Sequence, residues 1–161
     1  MDLSVVCGPP LSAEPGLGAL TLPGFLREVT AAYAGREALV LGATRWTYND
    51  LWERAVEVAR ALRARGVGKD GRVGVLMTNR PEWVAAVFGV SLAGGVAVAL
   101  STFSTPDELG HLLAVSGVSV LLCERTVLKK DFAAILSRLE PRIGEAARCG
   151  QPGTRSCATW P

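Results

Sequence analysis

An α/β fold built on a mostly parallel sheet is predicted by three features of this 161-residue sequence. From residue 48 onward the pattern alternates helix, strand, helix, strand, helix, strand, helix, which is the order that yields parallel strands flanked by helices. The strand runs Arg72–Met77, Val96–Leu100 and Val118–Cys123 are almost continuously apolar, as expected of strands covered on both faces. The segments between them carry one-sided apolar spacing and start signals for helices.

Each element follows in order. Residues 1–22 are rich in Pro, Gly and Leu without periodicity and read as a loose lead-in. Gly24–Tyr33 reads as a short helix with Phe25, Val29, Ala32 and Tyr33 on or near one face. Ala38–Leu41, Gly42-Ala43 and Arg45–Thr47 read as a small β-hairpin with a tight turn. Asn49 is the expected N-cap of a helix running to about Arg65. Leu51, Ala55, Val58 and Leu62 are spaced four, three and four, so they fall on one face. Arg54, Glu57, Arg60 and Arg63 lie mostly off that face and read as a solvated surface. Gly66 ends the helix as a C′ glycine.

After strand Arg72–Met77, Pro81 opens a helix to Ala93, with Asn79 and Glu82 expected to cap its exposed N–H groups. Strand Val96–Leu100 follows. Thr105 then caps a helix with Pro106 at its first position, and Asp107 and Glu108 set negative charge against the helix dipole. Strand Val118–Cys123 precedes a helix expected over Lys130–Leu139. Residues 148–161 hold two cysteines, two prolines and a tryptophan with no period of either kind, so they read as an irregular tail with no element able to dock on a sheet.

Composition excludes several function classes. Apolar residues make up 49% and charged residues 20%, which fits a globular chain. A net charge of +2, from 17 basic and 15 acidic residues, leaves no footprint for nucleic acid. Cys7, Cys123, Cys149 and Cys157 form no C-x-x-C pair, and His111 is the one histidine, so no metal-ligating set is expected. Cys123 ends an apolar run and reads as a buried thiol. This cysteine usage suits the cytoplasm. Trp83 to Pro106 carries no charge and is long enough to span a bilayer. Gly94-Gly95 divides it, however, and much of it is Ala and Gly. A buried helix followed by a buried strand is the reading, and no transmembrane segment is expected.

Motifs for chemistry are sparse. Gly66-Val67-Gly68-Lys69-Asp70-Gly71 matches G-x-G-x-x-G, but it follows a helix and precedes a strand. A dinucleotide site needs the reverse order, so that the helix N-terminus meets the pyrophosphate. The stretch therefore reads as a helix-to-strand turn. There is no G-x-x-x-x-G-K-[ST] loop and no G-x-S-x-G elbow. No spacing joins His111 to Ser101 or Ser116 in a triad. No catalytic, cofactor-binding or metal-ligating residue is assigned.

The ordered series from about Phe25 to Arg142 resembles the start of the AMP-forming acyl-CoA synthetases, the adenylate-forming or AMP-dependent synthetase and ligase family. Ala38-Leu39-Val40 and Trp46-Thr47-Tyr48-Asn49-Asp50-Leu51 are similar to that family's early hairpin and T-Y-x-x-L helix start. Arg54 through Ala61-Leu62 and Gly66-Val67-Gly68 resemble the helix and G-V-x-x-G turn. Val73 to Trp83 resembles the strand followed by N-x-x-E. Ala93-Gly94-Gly95-Val96-Ala97-Val98-Ala99-Leu100-Ser101 resembles A-G-G-V-x-V-P-L. Glu108-Leu109, Leu112-Leu113 and Ser116-Gly117-Val118 resemble E-L-x-x-x-L and S-x-A. Two departures stand out: Asp70-Gly71 inverts the usual Gly-Asp, and Ala99 stands where proline is customary.

The resemblance implies part of the large N-terminal domain of the adenylate-forming fold over residues 23–147. It implies an enzyme that makes an acyl-adenylate from a carboxylic acid, such as a fatty acid, and ATP, then passes the acyl group to a thiol such as coenzyme A. ATP, Mg²⁺ and coenzyme A are thus implied for the full-length family. The family's Ser/Thr/Gly-rich loop ending in P-K-G, its Y-G-x-T-E segment, its ribose-binding Asp and its C-terminal lysine domain have no counterpart in these residues. The 161 residues are therefore expected to be an inactive fragment, with translation leaving the family's reading frame near Ala147 or the product being naturally short. Two other readings are a non-catalytic module that associates with a separately encoded remainder or with itself, and a membrane-associated peptide using Trp83–Leu100.

Overall fold

The computed structural model describes residues 21–141 and the backbone of residues 156–159. The predicted frame change near Ala147 lies outside the described residues. The elements are α1 (Leu22–Tyr33), β1 (Glu37–Leu41), β2 (Thr44–Thr47), α2 (Tyr48–Ala64), β3 (Arg72–Leu76), α3 (Pro81–Leu92), β4 (Val96–Ala99), α4 (Pro106–Ser116), β5 (Val120–Cys123), β6 (Thr126–Val127), β7 (Lys130–Asp131), α5 (Phe132–Leu139) and β8 (Ser156–Thr159).

The alternation expected from the sequence forms an α/β sheet in the order β4-β3-β5-β8. β3 runs parallel to both β4 and β5. Period-two alternation then divides the side chains. Val73, Val75, Val120 and Leu122 face α2 and α3, in a core with Leu62, Ala86 and Val90. Leu76, Leu121 and Cys123 face α4 and α5, in a core with Leu109, Leu113, Phe132, Ile135 and Leu136. A third cluster of Leu26, Trp46, Leu51, Ala55 and Ala85 ties α1 and the hairpin to α2 and α3.

Several boundaries differ from the sequence reading. α1 begins at Leu22, inside the expected lead-in, because Thr21 caps it through Gly24 N–H. Its buried residues are Leu26 and Thr30, whereas Phe25 and Tyr33 are exposed. The cap of α2 is Thr47, not Asn49. Thr47 Oγ1 accepts from Asp50 N–H at 3.2 Å and Asp50 Oδ2 accepts from Thr47 N–H at 2.8 Å, a reciprocal capping box. The amides of Tyr48 and Asn49 donate to the carbonyls of Arg36 and Ala34, which pins the helix start directly after the hairpin. Asn49 turns outward to Glu53 instead.

β4 is covered on both faces, with Ala97 against one core and Val98 against the other, but it lies at the edge of the sheet among the described residues and Val96 is half exposed. The segment expected to open a helix at Lys130 first forms β7, which pairs antiparallel with β6. α5 then starts at Phe132 under an Asp131 cap. The tail expected to lack any docking element supplies β8, antiparallel to β5. Backbone pairing needs no side-chain periodicity, so four residues of any pattern can add to an open edge. Gly66 adopts the left-handed conformation expected of it, with φ +82. Asp70 also does, with φ +63, in the place where the family's usual Gly-Asp pair would put glycine.

A second capping box, Thr105 with Glu108, starts α4. In both boxes the backbone N–H bond to the carboxylate, followed by the cap hydroxyl, holds the acid low: Asp50 below its ordinary 3.8 and Glu108 below its ordinary 4.5. A carboxyl depressed in the folded state adds stability that is complete above its unfolded value and is lost as pH falls through its folded value. The melting temperature is therefore expected to hold steady down to about pH 5 and to fall below it. The double variant Asp50→Asn, Glu108→Gln should show a shallower fall. Equal acid slopes in circular-dichroism melts of the two proteins would reject this origin.

Candidate functional site: the crevice at the strand ends

The chain leaves β3 for α3 on one face of the sheet and leaves β5, by way of β6 and β7, for α5 on the other. Adjacent parallel strands whose connections diverge in this way open a crevice beyond their carboxyl ends, the usual ligand position in open α/β sheets. A cavity of about 1060 Å³ lies there. Its walls come from Met77–Asn79 after β3, Ala99–Phe103 after β4, and Glu124 and Thr126–Lys130 after β5, with Trp83 from α3.

Two polar assemblies shape it. On one side, Glu124 Oε2 accepts from Thr78 Oγ1 at 2.8 Å and from Thr78 N–H at 3.2 Å. Glu124 Oε1 pairs with Arg80 at 3.0 Å, and Arg80 Nε donates to Glu82 Oε2 at 2.7 Å. The bond to Glu82, supported by the charge of Glu124, holds the Arg80 guanidinium above its ordinary value. These bonds lock the β3–α3 turn to the end of β5, 46 residues away in sequence. On the other side, Lys130 Nζ donates to the carbonyls of Thr102, Phe103 and Ser104 at 3.2, 2.9 and 3.0 Å. One ammonium thus satisfies three loop acceptors and fixes the course of the β4–α4 connection.

The expectation that Asn79 and Glu82 cap α3 is corrected here. The N-cap is Arg80 and it makes no side-chain cap bond. Asn79 lines the crevice, and Glu82 is occupied by Arg80. His111 lies mid-helix on α4, exposed, beside Ser104 and Glu108 in a shallow groove. Ser101 Oγ accepts from Phe103 N–H, and Ser116 Oγ donates to the Leu113 carbonyl at the far end of the helix, so the two serines and His111 form no triad. Cys123 is buried, as its position in an apolar run implied.

Thr78, Glu124 and Lys130 were not singled out from sequence. The one signal they carried was their place just past the ends of parallel strands. Among the described residues no three Asp, Glu, His or Cys side chains gather where a metal ion could be held. Glu124, the acid at the crevice, already accepts from Thr78 and Arg80. Lys130 Nζ is likewise engaged, by three carbonyls of the β4–α4 connection, so both charged groups hold loops in place. No helix among the described residues is long and apolar enough to cross a membrane.

Leu128 marks the crevice mouth. It is 89% exposed and takes φ +53 at the first position of the two-residue β6–β7 turn, a position suited to glycine. Backbone strain at a cavity rim is a sign of functional constraint. Leu128→Gly is expected to raise stability by about 1 kcal/mol, since the left-handed strain disappears and the exposed side chain packs on little. An unchanged or lower urea midpoint would contradict that.

Sheet order, two-sided helical cover and a switch-point crevice together define part of a domain of the open α/β class. The sequence pattern of the AMP-binding enzymes matches residues 26–150. The chain belongs to the AMP-binding enzyme family. Acyl-CoA ligase sidI of Aspergillus fumigatus is 32% identical over 145 residues, covering 89% of this chain and 24% of that protein. Tyrocidine synthase 3 of Brevibacillus parabrevis is 30% identical over 134 residues, covering 83% of this chain and 2% of that protein. The N-terminal domain of FACL13 from Mycobacterium tuberculosis superposes with a TM-score of 0.65 at 26% identity, covering 84% of this chain and 32% of that one. The chain thus spans about a quarter of the length of the acyl-CoA ligase it matches.

Proposed function

We propose that residues 23–147 form part of the N-terminal domain of an AMP-forming acid–thiol ligase. Such an enzyme joins a carboxylic acid, fatty acids among them, to AMP from ATP, and then transfers the acyl group to the thiol of coenzyme A. The observation that carries this reading is the family match over residues 26–150, joined to 32% identity with an acyl-CoA ligase across 89% of the chain. Cysteine usage and the need for ATP and coenzyme A support a cytoplasmic location. The role of this segment is architectural. It supplies a parallel sheet, its two helical layers and a strand-end crevice whose loops are held by Glu124 and Lys130.

These 161 residues contain none of the phosphate-loop, Y-G-x-T-E or lysine-domain motifs that carry adenylation in the family. The 161-residue chain by itself is therefore expected to give no ATP–pyrophosphate exchange. The check is exchange of labelled pyrophosphate into ATP with purified chain and a panel of aliphatic and aromatic acids. Acid-dependent label in ATP above the enzyme-free blank would overturn the architectural reading and leave the ligase reading standing.

A further inference from the structure

The walls of the crevice are not held equally. The β3–α3 turn is firm. Thr78 donates to Glu124 through both its N–H and its hydroxyl, Arg80 pairs with the same carboxylate, and Pro81 is buried. Glu124 N–H donates in turn to the Leu76 carbonyl at 2.9 Å, so this wall continues the sheet. The two facing segments have firm ends and little between them. Residues 125–131 run from Glu124 to the fully buried Phe132, and among them only Val127 is buried. Their ladder, β6 with β7, has two rungs and is separate from the main sheet. A two-stranded ribbon is marginal by itself, and the left-handed Leu128 at its tip adds strain that release relieves. Residues 101–105 run from Leu100, whose N–H donates to the Val75 carbonyl, to α4, and none of the five is buried. Their Phe103 and Ser104 N–H groups donate to Ser101 within the same segment. The Lys130 ammonium, on three carbonyls, joins one segment to the other.

We propose that residues 125–131 and 101–105 form a two-part lid on the crevice that opens as one unit, with Lys130 as its latch and the β3–α3 turn as the fixed wall. Segments with few buried apolar contacts open locally, well below the free energy of global unfolding. Without a tie, each of these two would open independently. With Lys130 in place, moving residues 125–131 outward either breaks three charge-assisted bonds at once or carries residues 101–105 along. The second course is the cheaper, because residues 101–105 have no buried side chain to withdraw. The device sets how far the crevice stands open. It goes beyond the ligase reading and does not depend on it.

The test is hydrogen exchange, read by mass spectrometry, on the 161-residue chain and three variants: Val127→Ala, Lys130→Met and the two combined. Val127→Ala loosens residues 125–131 without touching residues 101–105. It should nevertheless speed exchange in both segments by about tenfold, and leave residues 78–80 unchanged. Lys130→Met should also speed both. In the Lys130→Met background, adding Val127→Ala should speed residues 125–131 alone, because the tie is gone. Val127→Ala acting on residues 125–131 alone while Lys130 is present would overturn the proposal. So would equal acceleration of residues 78–80, which would mean global opening, or wild-type residues 101–105 exchanging as fast as free chain. If Lys130→Met does not fold, Val127→Ala still decides, since its reach to residues 101–105 requires the latch.

Discussion

Phe132→Ala is expected to destabilise the chain by about 3–5 kcal/mol, a large share of the roughly 5–15 kcal/mol that holds a domain together. Phe132 is fully buried where α5 meets the sheet, in the same cluster as Leu76, Leu109, Leu113, Leu121 and Ile135. Truncation removes the transfer energy of a whole ring and leaves a cavity between two layers anchored by other contacts, so little collapse can refill it. Phe132→Leu keeps most of the volume and should cost less than about 1.5 kcal/mol. Urea unfolding of the two variants decides the matter. Equal losses would mean that the ring is not packed as described.

The second large effect is overpacking between α2 and α3. Gly89 is buried where these helices touch. A Cβ there would lie 2.5 Å from Val58 Cβ, 2.6 Å from Val58 Cγ1 and 2.8 Å from the Ala55 carbonyl oxygen. Alanine favours a helix over glycine by about 0.5–1 kcal/mol, but the steric term is larger, about 1–3 kcal/mol. Two of the three atoms are fixed to the α2 backbone and cannot rotate away, so the helices must part. Gly89→Ala is expected to lose about 2 kcal/mol net. Val58→Ala should not rescue it, because the Val58 Cβ position and the Ala55 carbonyl both remain. Gly74 is a useful contrast. Its nearest neighbours are the side-chain ends of Leu121, Leu100 and Val118. Those can shift, so Gly74→Ala should be the milder of the two. A gain in stability from Gly89→Ala in a thermal melt would show that the helices are not in contact there.

These sites show how much could be read before the fold was known. The apolar runs of β3 and β5, the stripe on α2, the Thr105 start of α4 and the Gly66 stop were all visible, because each rests on residues within a turn or two of one another. The start of α2 was misplaced by two residues. Thr47 and Asn49 are both good caps, and backbone bonds from the hairpin region chose between them. The apolar run of β4 signalled cover on both faces, but its place at the sheet edge is not a property of the strand's own sequence. The crevice went unassigned for the same reason. Glu124 resembles any surface acid until β5 lies beside β3 and brings it to Thr78 and Arg80.

What the sequence determined by itself was the alternation of helices and strands from α2 to β5, the buried stripe of α2 and, through the ordered series of family-like segments, the class to which the chain belongs. Periodicity and capping are local, and they survive in the one-dimensional record. The tertiary structure alone decided which strands neighbour one another, that the connections leaving β3 and β5 diverge to open the crevice, and that Glu124 and Lys130 tie its loops. It also placed residues 156–159 on the outer edge of β5. Those features are made by contacts between residues far apart in the chain, whose energies depend on distance in space and leave no periodic trace in sequence.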